Sequence, residues 1–220
     1  MLFQFIVSIC IGVYVYKNIG GLIILPFINF TLDIGYWIIP FIVLIYLATT
    51  NAVNLTDGLD GLATSTTLIF MISFLVLEII LIVTGVISAN VVNISEYNNL
   101  LIVSAVACGA LLCFLIFNCF PAKIFMGDTG SLALGSLIAS VTVFSGLELY
   151  IPILGIVFVA SAVSVIVQVA YYKLTKKRIF LMAPLHHHFE KKGVHEVRIT
   201  FCYSIVSIIA GLVVILINIL

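Results

Sequence analysis

The sequence predicts an all-α fold, a polytopic transmembrane helix bundle of about seven spans. Three observations predict it. Hydrophobic residues make up 64% of the chain and charged residues only 8%. Mean hydropathy is +1.36. A soluble domain carries about 25% charged residues, so lipid rather than water must solvate most of this chain. Finally, the apolar residues fall into runs close to the roughly 20-residue length at which a helix crosses a bilayer.

Seven runs qualify in order: Leu2–Tyr16, Tyr36–Val53, Leu62–Thr84, Leu100–Cys119, Ser131–Leu149, Ile151–Tyr171 and Ile199–Leu220. Helices are the default because lipid offers no partner to open backbone. The first run lacks a basic leading segment and a small-residue cleavage site, so it reads as a retained span. A tight turn near Tyr150–Pro152 is expected between the fifth and sixth spans. There is no internal repeat, and residues 1–220 read as one transmembrane domain. The five cysteines, Cys10, Cys108, Cys113, Cys119 and Cys202, show no metal-ligand spacing and read as small buried apolar residues. Sequons at Asn29, Asn54 and Asn93 carry little weight.

Formal net charge is zero, but its distribution is uneven. Lys173, Lys176, Lys177, Arg178, Lys191, Lys192 and Arg198, seven of the nine basic residues, lie between spans six and seven. The positive-inside rule places that loop in the cytoplasm. Alternation then puts the second-to-third and fourth-to-fifth loops on the same side. These three loops hold Asn54–Gly61 (NLTDGLDG), Phe120–Gly130 (FPAKIFMGDTG) and Tyr172–Arg198, which includes PLHHHFEKKG. The outer loops, with Lys17, Asp33, Glu96 and Glu148, read as ordinary connectors.

Asn54, Asp57 and Asp60 are spaced i, i+3, i+6, so a helix there would project all three from about one side. Gly58 and Gly61 would permit close backbone approach. A carboxylate at mid-bilayer costs about 2.5–3.5 kcal/mol, so two of them between long apolar runs need a reason. Asn, Asp and Gly also form turns and caps, but one cap does not need three such groups. Asp128 lies in Gly127–Ser131, where Asp128, Thr129 or Ser131 would serve as a helix N-cap and where the helix N-terminus could also hold phosphate oxygens. Three acids at one site would repel each other and any anionic substrate. A divalent cation resolves this, and Mg²⁺ prefers oxygen ligands and bridges phosphates.

Consecutive His186, His187 and His188 cannot share one helix face, so a loop or irregular turn is expected. A basic loop lying over anionic lipid is the plain reading of that segment. No Cys or spaced fourth His accompanies them for zinc. Imidazoles near Lys191 and Lys192 suit a phosphate or diphosphate. Glu78, inside a span, has no assigned role. Asn118 and Gln168 sit at the ends of spans four and six, where each could line the cavity or bond between helices.

The segments Asn51–Ala63, Pro121–Ser131 and Pro184–Glu190 closely resemble the motifs of the phospho-N-acetylmuramoyl-pentapeptide transferase (translocase I) family, within the polyprenyl-phosphate N-acetylhexosamine-1-phosphate transferases. The resemblance covers essentially the whole chain. It implies a Mg²⁺-dependent membrane enzyme of peptidoglycan synthesis in the plasma membrane. Such an enzyme moves phospho-N-acetylmuramoyl-pentapeptide from its UDP derivative to undecaprenyl phosphate, giving lipid I and UMP, directly or through a covalent intermediate. By position it implies that Asp128 binds the metal and that Asp57 is catalytic beside it. It places Asn54, Asp60, Asn118, Phe125 and Gln168 around the nucleoside and diphosphate, with His186, His187 and His188 as the histidine motif and His188 among the catalytic groups. The expected partners are both substrates and the bilayer. A homodimer is allowed, and no nucleic acid is expected. The triple histidine followed by Phe189-Glu190 favours this branch over the related UDP-N-acetylglucosamine transferases.

The chain departs from the family in one respect. Its spans are similar to the last seven of a ten-span fold, and the family's Asp-Asp-x-x-Lys motif has no counterpart here. The expectation is an N-terminally truncated, inactive fragment that forms no lipid I unaided. A transporter would place charges at mid-membrane and repeat its topology, and a scaffold would not need the aspartates.

Overall fold

A computed structural model describes residues 2–28, 30–86 and 94–219 of the chain. Asn29 and Asn93, which carry two of the sequons, lie outside the described residues. The main elements are α1 (Leu2–Asn18), β1 (Leu22–Ile24), β2 (Thr31–Asp33), α2 (Ile38–Thr56), α3 (Leu62–Val83), α4 (Ile94–Asn118) and α5 (Gly127–Phe144). They continue with α6 (Ile151–Leu154), α7 (Ile156–Thr175), α8 (Leu185–Lys191) and α9 (Glu196–Ile219). Among the described residues, six helices are long and apolar enough to cross a membrane, and α1 is a shorter apolar helix. The chain is therefore a multi-pass helical membrane protein of about seven spans.

Packing follows from where small and branched side chains fall. The core has two centres. The larger gathers Phe70, Met71, Phe74 and Leu77 of α3 with Leu111 and Val214 from α4 and α9. The smaller joins Val15, Ile42, Tyr46 and Val143 across α1, α2 and α5. Of its span, α3 has 56% buried against 22% for α4 and for α7, so α3 is the most enclosed helix. A Cβ at Gly135 of α5 would lie 2.5 Å from Thr50 Cα of α2, so glycine lets these two backbones touch. Hydroxyls buried within the helices bond back to their own turn. Thr66 donates to the Leu62 carbonyl at 2.7 Å and Thr142 to that of Ile138 at 2.8 Å.

Several boundaries differ from expectation. Span five ends at Phe144 and not at Leu149. A connector with a 3₁₀ turn at Glu148–Tyr150 and the short α6 replaces the tight turn, and Gly155 (φ −94°, ψ 30°) interrupts the helix before α7. The connectors expected to be ordinary outer loops are not ordinary. A two-stranded antiparallel hairpin pairs Leu22 with Asp33, and Ile24 N–H donates to the Gly146 carbonyl at 3.2 Å. Glu148 is buried, because its connector folds inward over the bundle end. Glu78 is fully buried and accepts the hydroxyls of Ser145 at 2.7 Å and Ser104 at 3.4 Å. Only Cys108 of the five cysteines is buried, and all are free thiols. Where lipid is the solvent, an apolar residue need not enter the core to leave water.

Candidate functional site

Three connections meet at one end of the bundle: 57–61, 119–126 and 176–195. They are joined by short-range bonds. Asp60 Oδ2 accepts the Ala122 N–H at 2.9 Å, and the Asp60 carbonyl accepts the Thr200 hydroxyl at 3.4 Å. The Phe120 and His195 rings meet edge to face at 5.3 Å. The loop grouping expected from alternation is the one observed.

Helix α2 stops at Thr56, and the chain turns through Asp57 (φ −79°, ψ 58°) to Gly61 (φ +71°) before α3 begins. The positive φ at Gly61 is a conformation that glycine adopts without penalty. Asn54, Asp57 and Asp60 are therefore not on one continuous helix, contrary to expectation, and they diverge. Asn54, still helical, donates Nδ2 to Asp128 Oδ1 at 3.0 Å and to Ser131 Oγ at 2.9 Å. Ser131 Oγ in turn donates to the Gly127 carbonyl at 3.1 Å. Asp128 is not the N-cap. That position is Met126, and Asp128 occupies the first turn of α5, where the helix N-terminus favours negative charge. Burial, and secondarily the charge of Asp128, pushes the Asp57 carboxyl up to about 6. Two like charges so placed resist joint ionisation.

Among the described residues, no three His, Cys, Asp or Glu side chains gather as a metal cage. Mg²⁺ does not require one, since it binds through one or two carboxylates and keeps its waters. Asp57 and Asp128 are the carboxylates that could hold a divalent cation.

Asn118 is buried and both ends of its amide are engaged: Oδ1 accepts the Thr64 hydroxyl at 2.5 Å and Nδ2 donates to the Ile124 carbonyl at 2.9 Å. It pins the 119–126 loop, as Asp60 does from the other side. Phe125 on that loop is 76% exposed and free to meet a ring. Gln168 is a strut. Its Oε1 accepts the N–H groups of Ile179 (3.1 Å) and Phe180 (3.0 Å), and its Nε2 donates to the Phe180 carbonyl at 3.1 Å.

The histidines lie on a short helix, α8, and not in a loop. A single turn accommodates them because each faces a different partner. His186 is fully buried with neither ring nitrogen hydrogen-bonded, and burial, then His187, lowers its pKa to about 4, keeping it neutral. His187 Nδ1 pairs with Glu190 Oε2 at 2.8 Å. His188 Nδ1 accepts the Leu181 N–H at 3.0 Å, which turns this ring toward its own loop. A Cβ at Gly58 would press on His186 Nε2 and lie 2.9 Å from His187 Nε2. Gly58 thus seats two histidines against the residue next to Asp57. Reading the triplet as a loop missed Glu190 as the i+3 partner of His187 and missed Tyr203, whose ring lies 6.4 Å from His186.

Comparison with known proteins agrees with these motifs. The chain is 48% identical over 215 residues to a phospho-N-acetylmuramoyl-pentapeptide-transferase of Clostridium novyi (strain NT), covering 97% of this chain and 62% of the relative. It is 47% identical to the protein of that name from Clostridium perfringens (strain 13 / Type A), covering 95% and 62%. It is 49% identical to that of Clostridium kluyveri (strain NBRC 12016), covering 92% and 61%. The chain therefore spans about three fifths of the length of the curated relatives it matches. The family model described as glycosyl transferase family 4 matches residues 1–146. With two thirds of its length under that model, the chain belongs to glycosyl transferase family 4.

Proposed function

We propose that this chain carries the phosphosugar-transfer site of a phospho-N-acetylmuramoyl-pentapeptide transferase of the plasma membrane. Its site end faces the cytoplasm, where the basic residues concentrate. The observation that carries the reading is the Asp57–Asp128 pair, with Asn54 holding Asp128 at the start of α5. The names of the relatives supply the donor.

In the net reaction, a phosphate oxygen of undecaprenyl phosphate becomes bonded to the sugar-bearing phosphorus of UDP-N-acetylmuramoyl-pentapeptide. The bond from that phosphorus to the bridging oxygen breaks, and UMP leaves with the electron pair. Bound Mg²⁺ supplies charge neutralisation at the diphosphate. Asp57 and Asp128 are the residues that would hold it. Asn54 fixes the Asp128 carboxylate, and the N-terminus of α5 favours an anion beside it. Phe125 offers a face to the uracil. His187, oriented by Glu190, reaches toward the turn at Gly58, where its second nitrogen can meet a phosphate oxygen. His186 stays neutral and fills the space beneath. His188, Gln168, Asn118 and Asp60 hold the three loops in register.

The test is binding of UDP-N-acetylmuramoyl-pentapeptide to the purified chain, measured calorimetrically with and without Mg²⁺. Binding should require Mg²⁺, and Asp128→Asn should weaken it at least about tenfold, the worth of a charge-assisted contact. Unchanged binding by Asp128→Asn would overturn the metal assignment. Equal affinity for UDP-N-acetylglucosamine would overturn the choice of donor.

A further inference from the structure

Helix α7 ends in a feature that the transfer site does not use. Lys176 turns the chain sharply (φ +58°), and residues 177–183 run back beside the helix, held there by Gln168. Between helix and returning segment lies a groove of about 630 Å³. Val165, Val169 and Met182 give it apolar walls, while Lys173, Lys176 and Arg178 supply its charge. Among the described residues, no acidic side chain lines it. Among the described residues none of these three cations forms an ion pair, the one such pair being His187 with Glu190. The Lys176 ammonium lies 5.9 Å from the Tyr172 ring centroid. Gln168 is in the lining, its amide spent on the returning segment, while Asp57, Asp128 and the histidines are absent from it.

The surroundings indicate where this groove sits. Leu174 is 85% exposed, and Tyr172, Ile179 and Leu181 are also exposed, interleaved with Lys173, Lys176, Lys177 and Arg178. Exposed apolar side chains alternating with cations at the end of a membrane-spanning helix belong at the bilayer surface. A soluble anion would be matched by the cations but not by the apolar walls. An amphiphile is matched by both: an anionic headgroup against Lys173, Lys176 and Arg178, and the start of its chains against Val165 and Val169.

We infer that this groove binds an anionic phospholipid of the surrounding bilayer, headgroup to the α7 cations and acyl chains along its apolar walls. The site is distinct from the transfer site and does not depend on which donor sugar that site takes.

The experiment is native mass spectrometry of the full chain released from detergent with graded phosphatidylglycerol or phosphatidylcholine, alongside phosphatidylglycerol titrations. Phosphatidylglycerol should be retained in preference to phosphatidylcholine. Arg178→Gln should weaken it about fivefold, the usual worth of one juxtamembrane cation. The triple variant Lys173→Gln/Lys176→Gln/Arg178→Gln should erase the preference, with circular dichroism checking that it folds. The single variant stands as the test should the triple not fold. Lys177→Gln, whose side chain is outside the lining, should change retention less than about twofold. Retained preference in Arg178→Gln would overturn the site. An equal loss in Lys177→Gln would reduce it to general surface charge. Displacement by millimolar inorganic phosphate, or stoichiometric displacement by undecaprenyl phosphate, would assign the groove to another ligand and overturn the inference.

Discussion

Replacing Asp57 by Asn removes one of two carboxylates that the fold forces together. In the folded chain, burial and the neighbouring Asp128 raise the Asp57 carboxyl from 3.8 to about 6. A shift of that size corresponds to about 3 kcal/mol at 1.36 kcal/mol per unit, and screening at a half-exposed site leaves roughly half, about 1.5 kcal/mol. The sign follows from linkage. The folded carboxyl holds its proton more tightly than the unfolded one. Stability is therefore highest below the ordinary carboxylate value and is lost as pH rises through 6. Asp57→Asn does not titrate, so it should be more stable than the parent by about 1.5 kcal/mol at pH 7.5 in EDTA and no different at pH 4. His186 titrates in the opposite sense, its lowered pKa costing stability as pH falls from 6.5 toward 4. Both proteins carry His186, so the difference between them isolates Asp57. Thermal unfolding of purified protein, followed by circular dichroism, should show the variant about 3–6 °C higher at pH 7.5. Added Mg²⁺ should raise the parent's midpoint and the variant's much less. A midpoint gap equal at pH 4 and pH 7.5, or absent at both, would refute the electrostatic pairing of Asp57 with Asp128.

Gly58→Ala should push α8 away from the acidic turn, because the new methyl would meet both His186 and His187. Overpacking at such a site costs about 1–3 kcal/mol, read as a lower unfolding midpoint, and donor binding should weaken with it. Gln168→Ala should free the returning segment at a cost of about 1 kcal/mol per lost bond. Tryptic cleavage at Lys177 and Arg178 should speed up while the midpoint of the bundle stays nearly unchanged, since the three bonds hold only that segment.

The spans were legible because lipid imposes one rule on every residue facing it, and a 64% hydrophobic chain states that rule plainly. The grouping of three loops at one end was also legible, from the run of basic residues between Lys173 and Arg198. The ends of elements were less so. The end of α5 at Phe144 is marked by Gly146 (φ +68°), a glycine that stops a helix, but Leu147 and Leu149 carry the apolar pattern past it, so the expected span ran on to Leu149. The acidic spacing Asn54, Asp57, Asp60 suggested a shared face, but Gly58 and Gly61 break the helix between them. Asp60 therefore faces Ala122 while Asn54 faces Asp128. Paired glycines permit close approach and equally end a helix, and at Gly58 and Gly61 the chain does both. The partners of Asn118 and Gln168 lay beyond sequence reading, since each amide bonds a loop backbone whose path only the fold sets.

The chemistry of the site depends on its being built at a seam. Asp57 belongs to the end of α2, Asp128 to the start of α5, and the histidines to α8, and the contacts between these segments are polar and short. Had both carboxylates stood on one helix, their spacing would be fixed by the helix itself and insensitive to the loops. Here the spacing depends on Asn54 reaching 3.0 Å to Asp128, and on Asp60 and Asn118 holding the 119–126 loop that leads into α5. Asp60 and Asn118 then act on the acidic pair through geometry alone. Asp60→Asn, which keeps an oxygen to accept the Ala122 N–H, should preserve Mg²⁺-dependent binding, whereas Asp60→Ala should weaken it. If Asn and Ala at this position weaken binding equally, Asp60 contributes charge to the site, and the division of labour between clamp and ligand is wrong.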